Sequence, residues 1–143
     1  MERKLFQLII VVLSLIPIMD AVTGFYQGPG HLFPDGDVYP NNLDNHYRYL
    51  VGVYLAVTFA LWWTLGNIQE RVIPFRLICA AVIIGGLGRI ISITTAGMPE
   101  STEYLFAAVI ELVLVPLLLV WHHRLRQKPE RALPVENQIN TLQ

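Results

Sequence analysis

Four long apolar segments separated by shorter polar segments dominate the hydrophobic pattern of the chain. They cover residues 5–25, 47–66, 75–96 and 104–121. Each approaches the roughly 20 apolar residues that a helix needs to cross the hydrocarbon core of a bilayer. The pattern therefore predicts an all-α, polytopic membrane protein, and the short links predict an antiparallel bundle of four transmembrane helices.

The polar segments complete the predicted organisation. Residues 26–46 are rich in Gly, Pro, Asp and Asn, which is typical of turns, and predict an outer loop long enough to cover the bundle. Residues 129–143 predict a short disordered cytoplasmic tail after a transmembrane domain spanning residues 1–128. The first apolar segment follows Arg3 and Lys4 as a signal peptide would, but it contains Asp20 and no clear small-x-small cleavage site, which favours a retained helix.

The composition supports a membrane protein and argues against a soluble domain or a nucleic-acid-binding protein. Hydrophobic residues make up 54% of the chain and charged residues 15%, and the mean hydropathy is +0.49, a balance that a soluble domain of this size could hardly sustain. The net charge of -1 and the lack of a zinc or RNA-binding motif argue against nucleic acid as a partner. No catalytic triad, dinucleotide loop or metal-ligand spacing is present, so we expect no metal and no cofactor.

The distribution of basic residues predicts the orientation. Loops that carry Lys and Arg generally stay on the cytoplasmic side. Basic residues lie before the first segment, in the link between the second and third segments, and after the fourth segment, whereas the other two loops contain none. These basic residues are Arg3, Lys4, Arg71, Arg124, Arg126, Lys128 and Arg131. Both termini should therefore face the cytoplasm.

Three ionisable residues interrupt the apolar segments at one predicted depth. A charged side chain at the centre of a membrane helix costs about 2.5 to 3.5 kcal/mol, so it normally faces a partner or a wet cavity. With a rise of about 1.5 Å per residue, Arg89 and Asp20 lie about 21 and 22 Å above the inner face, and Glu111 lies about 10 Å below the outer face. The sequence thus predicts a polar layer in the outer leaflet in which Arg89 pairs with Glu111.

The start of the second helix extends this layer. Arg48 lies just below the outer face, Asp44 is predicted as the helix N-cap, and Asn45 lies between them. Arg48 brings the formal charge of the layer to zero together with Asp20, Arg89 and Glu111, as a low-dielectric interior requires.

Three glycines precede Arg89 in the third segment: Gly85, Gly86 and Gly88. Glycines and other small residues allow the backbone of a neighbouring helix to approach closely. We therefore expect this part of the helix to pack against a neighbour while the arginine reaches across.

Three roles for the charged layer stay open. It can fix which helices pack together, bind a polar or anionic group of a lipid or small molecule, or conduct protons or ions. Conduction needs charges in both leaflets, but the inner half holds only Arg76 near its edge. We predict a non-enzymatic protein that binds a lipid, a small amphiphile, a partner membrane protein or a second copy of itself, with Arg48 and Arg89 toward an anionic group. The alternative is a membrane enzyme or proton-coupled carrier in which Glu111 or Asp20 exchanges protons.

Three strings carry a family resemblance: LDNHYRYLVGVYLA, PFRLICAAVIIGGLGRIISITTAGMP and ELVLVPLLLVW. Between about Leu43 and Trp121 the chain resembles the domain-of-unknown-function family 4345, small four-helix membrane proteins of bacteria. The resemblance implies these shared positions: Asp44, Asn45, Arg48, Phe75, Arg76, Gly85, Gly86, Arg89, Ser92, Gly97, Pro99 and Glu111. It implies the fold and a multi-pass address in the bacterial inner membrane, and it implies no activity.

Overall fold

The computed structural model describes residues 2–33 and 38–127, and over these residues it is helical with no strand. Its four long helices are α1 (Glu2–Gln27), α2 (Asn41–Gly66), α3 (Val72–Ala96) and α4 (Glu103–Gln127). A 3-10 helix, Gly28–Leu32, directly follows α1, and a π-helical turn, Ile110–Leu114, lies inside α4. The predicted tail, residues 129–143, lies outside the described residues.

All four long helices are long and apolar enough to cross a membrane. Only 11 to 22% of the residues in their most apolar windows are buried inside the bundle. Large side chains such as Ile73, Ile84 and Phe106 are 72, 67 and 69% exposed. An apolar surface of this extent is unfavourable in water and favourable in lipid, so the fold is that of a multi-pass membrane protein.

The helices pack in chain order around a ring, each antiparallel to the next. Gln7 near the start of α1 donates a hydrogen bond of 2.7 Å to the carbonyl of Leu65 near the end of α2. Phe75 near the start of α3 packs against His122 near the end of α4, with ring centroids 4.7 Å apart. One end of the bundle, here called the termini end, therefore holds the start of α1 and the end of α4, and the opposite end, the loop end, holds the 3-10 helix.

The buried core lies at the termini end. Its members are apolar side chains from all four helices and from the turn between α2 and α3: Phe6, Ile10, Leu65, Ile68, Phe75, Cys79 and Leu118. The ring of His122 lies among them, and its Nε2 lies 2.9 Å from the carbonyl oxygen of Ile68, to which it donates. This contact ties α4 to the α2–α3 turn and satisfies a buried polar group.

At the loop end, α1 and α4 do not pack closely against each other. Within the described residues, α1 approaches α4 only along Val115–Gln127, and none of its Cα atoms lies within 8 Å of a Cα in Glu103–Leu114. We call this gap, between the loop-end halves of α1 and α4, the side opening.

The start of α2 differs from the sequence prediction. The helix begins at Asn41 with Pro40 as its N-cap, so the prediction that Asp44 is the N-cap is wrong. The carbonyl of Pro40 accepts hydrogen bonds from the backbone N–H groups of Leu43 and Asp44, at 2.9 and 3.3 Å, and these bonds start the helix earlier. Asp44 lies in the first turn, where its negative charge still favours the helix dipole.

Candidate functional site

An ion pair joins α3 and α4 in the loop-end half. Nε of Arg89 donates to Oε2 of Glu111 over 2.9 Å. The two side chains are 30% and 16% exposed, so the pair is shielded but still accessible. The guanidinium carbon of Arg89 also lies 5.8 Å from the ring centroid of Tyr104, within cation–π range. Tyr104 is seven residues before Glu111 on α4 and therefore lies on the same helix face.

The π-helical turn positions the carboxylate of this pair. Glu111 is the second residue of Ile110–Leu114, and the N–H of Val115 bonds to the carbonyl of Ile110 five residues earlier. Pro116 gives the local reason, because it has no N–H for the carbonyl of Leu112 and its ring crowds that carbonyl. Single π turns inside α-helices are frequent at functional sites.

Gly86 allows α4 to approach α3 at the ion pair. A Cβ atom at this position would lie 2.9 Å from Cβ of Glu111 and from the side chain of Leu112. The structure differs from the sequence expectation at Gly85 and Gly88, where a Cβ atom would meet nothing within 4 Å among the described residues. Of the three glycines, only Gly86 faces α4.

A second ion pair closes the end of α1. Nε of Arg48 donates to Oδ2 of Asp44 over 2.9 Å, and Nη1 donates to the carbonyl of Phe25 in the last turn of α1. A cation at the C-terminal end of a helix offsets the helix dipole and satisfies an orphan carbonyl. Gly28, with φ of +61°, lies directly against Asp44 and Arg48, where a Cβ atom would come within 2.8 Å of Nη2 of Arg48.

The 3-10 helix is fastened to α2 beside this pair. Nδ1 of His31 lies 2.9 Å from the carbonyl of Gly28, and Nε2 lies 3.2 Å from the hydroxyl of Tyr47. If Nδ1 carries the proton, the ring donates to the carbonyl and accepts from the tyrosine. Asn45, predicted as part of the layer, is exposed on the first turns of α2, and its side chain makes no hydrogen bond within the described residues.

Asp20 lies at the side opening. Its side chain is exposed and forms no hydrogen bond or ion pair with the described residues. Gly24, one turn further along α1, packs on the ring of Tyr47, where a Cβ atom would approach Cε1 within 2.9 Å. Because Asp20 and Gly24 are four residues apart on α1, Asp20 lies on the helix face that packs toward Tyr47 of α2.

The sequence predicted one polar layer with zero formal charge, formed by Asp20, Arg48, Arg89 and Glu111. The structure instead divides these charges into separate groups. Arg89 pairs with Glu111 as proposed from the sequence, but Arg48 pairs with Asp44 on its own helix. Asp20 belongs to neither pair. Its separation follows from the packing of α1, because no Cα atom of α1 lies within 8 Å of a Cα atom in α3 or in the loop-end half of α4 among the described residues.

The profile of one protein family, described as Domain of unknown function (DUF4345), matches residues 5–122. The chain belongs to this family. No curated protein and no solved structure matches the chain. The DUF4345 match begins within α1 and ends within α4, so it includes Asp20 and the predicted outer loop, beyond the region from Leu43 to Trp121 in which the sequence showed the resemblance.

The DUF4345 fold adds neighbours that the sequence did not predict as part of the site. His31 and the carbonyl of Phe25 take part at the end of α1, and Tyr104 lies over Arg89. The spacing of Tyr104 could have indicated its place, because Tyr104 lies two turns before Glu111 on the same helix face. The bond from Arg48 to a backbone carbonyl has no sequence pattern.

Proposed function

We propose that this DUF4345 protein is a non-enzymatic, multi-pass protein of the bacterial inner membrane that binds the head group of a lipid or small amphiphile at its loop end. The single observation that carries the proposal is the Arg89–Glu111 pair, whose side chains stay 30% and 16% exposed in the half of the bundle where α1 does not pack closely against α4.

The hydrogen bonds of Arg89 support a binding role. Only its Nε is bonded to Glu111, and its two terminal nitrogens make no hydrogen bond to the described residues. A guanidinium has five N–H donors in a planar fork, and those on the terminal nitrogens suit the oxygens of a carboxylate or phosphate. The pair with Glu111 keeps the cation neutralised while no ligand is present.

The predicted orientation determines the leaflet in which this site lies. With both termini in the cytoplasm, the loop end lies in the outer leaflet, and the side opening faces the acyl chains of that leaflet. An amphiphile could then enter laterally, with its chain against the apolar faces of α1 and α4 and its head in the polar layer. The Arg48–Asp44 pair and the 3-10 helix would cover the proposed site on its outer side.

Mass spectrometry of amphiphiles retained by the protein after extraction from its native membrane tests the proposal. The wild type should carry one amphiphile in stoichiometric amount. The double variant Arg89→Gln/Glu111→Gln, which removes both charges together, should lose it. The matched control Glu70→Gln/Arg71→Gln, which removes one charge of each sign at the termini end, should retain it. Equal retention by both double variants would contradict the proposal.

A membrane enzyme or a proton-coupled carrier is the second candidate, and the π turn at Glu111 together with the unpaired Asp20 favours it. In this case Glu111→Gln or Asp20→Asn would abolish a turnover or a proton-dependent flux in proteoliposomes while leaving folding and amphiphile retention intact. Loss of retention together with an unchanged proton flux would exclude it.

A further inference from the structure

We infer that the protein binds the head group of an anionic phospholipid in a groove between α3 and α4 at the termini end. The open groove has a volume of about 380 Å³. Its lining combines two polar and two apolar side chains: Arg76 of α3 with Leu119, Val120 and His123 of α4. The groove lies at the opposite end of the bundle from the Arg89–Glu111 pair, so the inference does not depend on the proposed function.

The packing of the two helices holds the polar groups of the groove at one depth. The ring centroids of Phe75 on α3 and His122 on α4 lie 4.7 Å apart, and both side chains are buried. Arg76 and His123 are the next residues along the two helices, and both are exposed. The buried contact therefore fixes the distance between the helices, and the residues that follow it line the groove.

Arg76 has hydrogen-bonding capacity that the described residues do not use. Its guanidinium forms no hydrogen bond and no ion pair with them. Arg3 and Arg71, at the same end, instead donate to the side chain of Gln69 and to the carbonyl of Trp63. A guanidinium has five N–H donors in a planar fork that matches the oxygens of a phosphate. The cation of Arg76 is therefore available to an anion from outside the protein.

His123 supplies a second donor to the groove. Its Nε2 lies 3.0 Å from the side-chain amide nitrogen of Gln127. An amide nitrogen only donates, so this hydrogen bond assigns the proton of the neutral ring to Nδ1. Nδ1 has no hydrogen-bond partner among the described residues. A phosphate group in the groove would accept hydrogen bonds from both Arg76 and His123.

The apolar part of the groove suits a lipid rather than a free anion. Leu119 and Val120 precede His123 by four and three residues, so they lie one turn deeper in the membrane on the same face of α4. Val120 is 49% exposed. These side chains would contact the first methylene groups of an acyl chain whose head group lies at the level of Arg76. A soluble phosphate would gain nothing from them.

The charge of the termini end matches an anionic ligand. Among the described residues this end carries six cations and two acids: Arg3, Lys4, Arg71, Arg76, Arg124 and Arg126, with Glu2 and Glu70. Basic clusters at a membrane surface attract anionic lipids, and basic pockets between transmembrane helices bind their head groups. The excess of cations attracts such lipids to this end, and the groove gives one of them fixed contacts.

Native mass spectrometry of the full protein, delipidated in a neutral detergent, tests the inference. The two probes have the same acyl chains: dioleoylphosphatidylglycerol, which is anionic, and dioleoylphosphatidylcholine, which is zwitterionic. We expect the wild type to bind the anionic lipid at least about fivefold more tightly, which is the effect of one basic side chain near the lipid head group. Arg76→Gln should remove most of this preference, and Arg76→Lys, which keeps the charge, should retain part of it.

Arg3→Gln is the matched control, because it removes the same charge at the same end from α1, whose residues do not line the groove. It should keep the preference. Equal losses in Arg76→Gln and Arg3→Gln overturn the inference, because binding would then follow the total charge alone. The absence of a preference in the wild type also overturns it, and leaves Glu130 and Glu136, which lie outside the described residues, as candidate partners of Arg76.

Two further variants complete the test. His123→Leu should weaken binding of the anionic lipid without lowering the unfolding temperature, so it serves if Arg76→Gln does not fold. Unchanged binding in His123→Leu and in a folded Arg76→Gln overturns the inference. Arg89→Gln/Glu111→Gln should keep the preference for the anionic lipid, because its charges lie at the other end of the bundle. Failure of the proposed function is thereby distinguished from failure of this inference.

Discussion

Nε of Arg89 on α3 lies 2.9 Å from Oε2 of Glu111 on α4, and Gly86, one turn before the arginine, leaves the space into which Cβ of Glu111 fits. The ion pair and the close packing therefore depend on one another. A larger residue at position 86 would move the carboxylate away from the guanidinium, and removal of either charge would leave the other in a half-shielded apolar setting.

Neutralising one member of this pair should destabilise the fold more than neutralising both. We expect Arg89→Gln and Glu111→Gln each to lower the free energy of unfolding by about 1 to 3 kcal/mol, because each leaves a charged partner without its hydrogen bond. The double variant should recover much of the loss. A double-mutant cycle from detergent-induced unfolding gives the coupling energy. Additive losses would show that the two side chains act independently.

Alanine scanning of the three glycines should separate Gly86 from its neighbours. Gly86→Ala places a Cβ atom 2.9 Å from Glu111 and Leu112, so it should cost about 1 to 3 kcal/mol through overpacking. Gly85→Ala and Gly88→Ala meet nothing within 4 Å and should be neutral or stabilise the helix by up to about 1 kcal/mol. The thermal midpoints of the three variants provide the comparison, and equal midpoints for all three would contradict the packing described for α3.

The packing of the 3-10 helix against Asp44 and Arg48 should depend on Gly28. Gly28→Ala forces a positive φ on an L residue and pushes a methyl group into Asp44 and Arg48, so we expect a loss of about 1 to 3 kcal/mol. Gly30→Ala is the matched control in the same 3-10 helix, because its Cβ atom would lie 3.4 Å from the Tyr39 hydroxyl in ordinary contact. Unfolding of both variants by guanidinium or heat measures the difference. An equal loss of unfolding free energy in Gly30→Ala and Gly28→Ala would contradict this, because it would show that any added side chain in the 3-10 helix is destabilising.

His122 should contribute to stability where His123 does not. His122→Leu removes the donor to the buried carbonyl of Ile68 at the termini end, and an unsatisfied buried carbonyl costs about 1 to 3 kcal/mol. His123→Leu changes an exposed position one residue further along and should have little effect. Thermal unfolding of the two variants checks the expectation. Equal unfolding temperatures for His122→Leu and His123→Leu would contradict it.

Cysteine labelling tests the orientation. In a Cys79→Ser background, Val38→Cys at the loop end should react with a membrane-impermeant maleimide from outside intact cells, since Val38 is fully exposed. Gln127→Cys at the end of α4 should react only after the membrane is permeabilised. The reverse pattern would place the loop end in the cytoplasmic leaflet and move the proposed site with it.

The four helices and the Arg89–Glu111 contact could be anticipated from sequence because both follow from simple lengths. Apolar segments of about 20 residues must be helices in a bilayer, and a constant rise per residue puts two charges on antiparallel helices at one height. The identity of the Arg48 partner could not be obtained in this way, since depth alone does not distinguish a carboxylate on the same helix from one on another.

The remaining differences arise from contacts that depend on helix rotation. Gly85, Gly86 and Gly88 look equivalent in the sequence, but successive residues on a helix point about 100° apart, and only Gly86 faces α4. The side opening is likewise a property of how α1 and α4 diverge above Val115, which no local pattern encodes. Pro116 is a sequence signal that could have indicated the disturbed turn next to Glu111, because proline removes a backbone donor from the helix.

An experimental density map of the protein in lipid shows whether an amphiphile is bound between α1 and α4. We expect density of a bound amphiphile in the side opening, with its head group within hydrogen-bonding distance of Arg89 or Asp20 and its chain between α1 and α4. A map in which α1 closes against the loop-end half of α4, or in which only acyl chains lie beside these two residues, would contradict it.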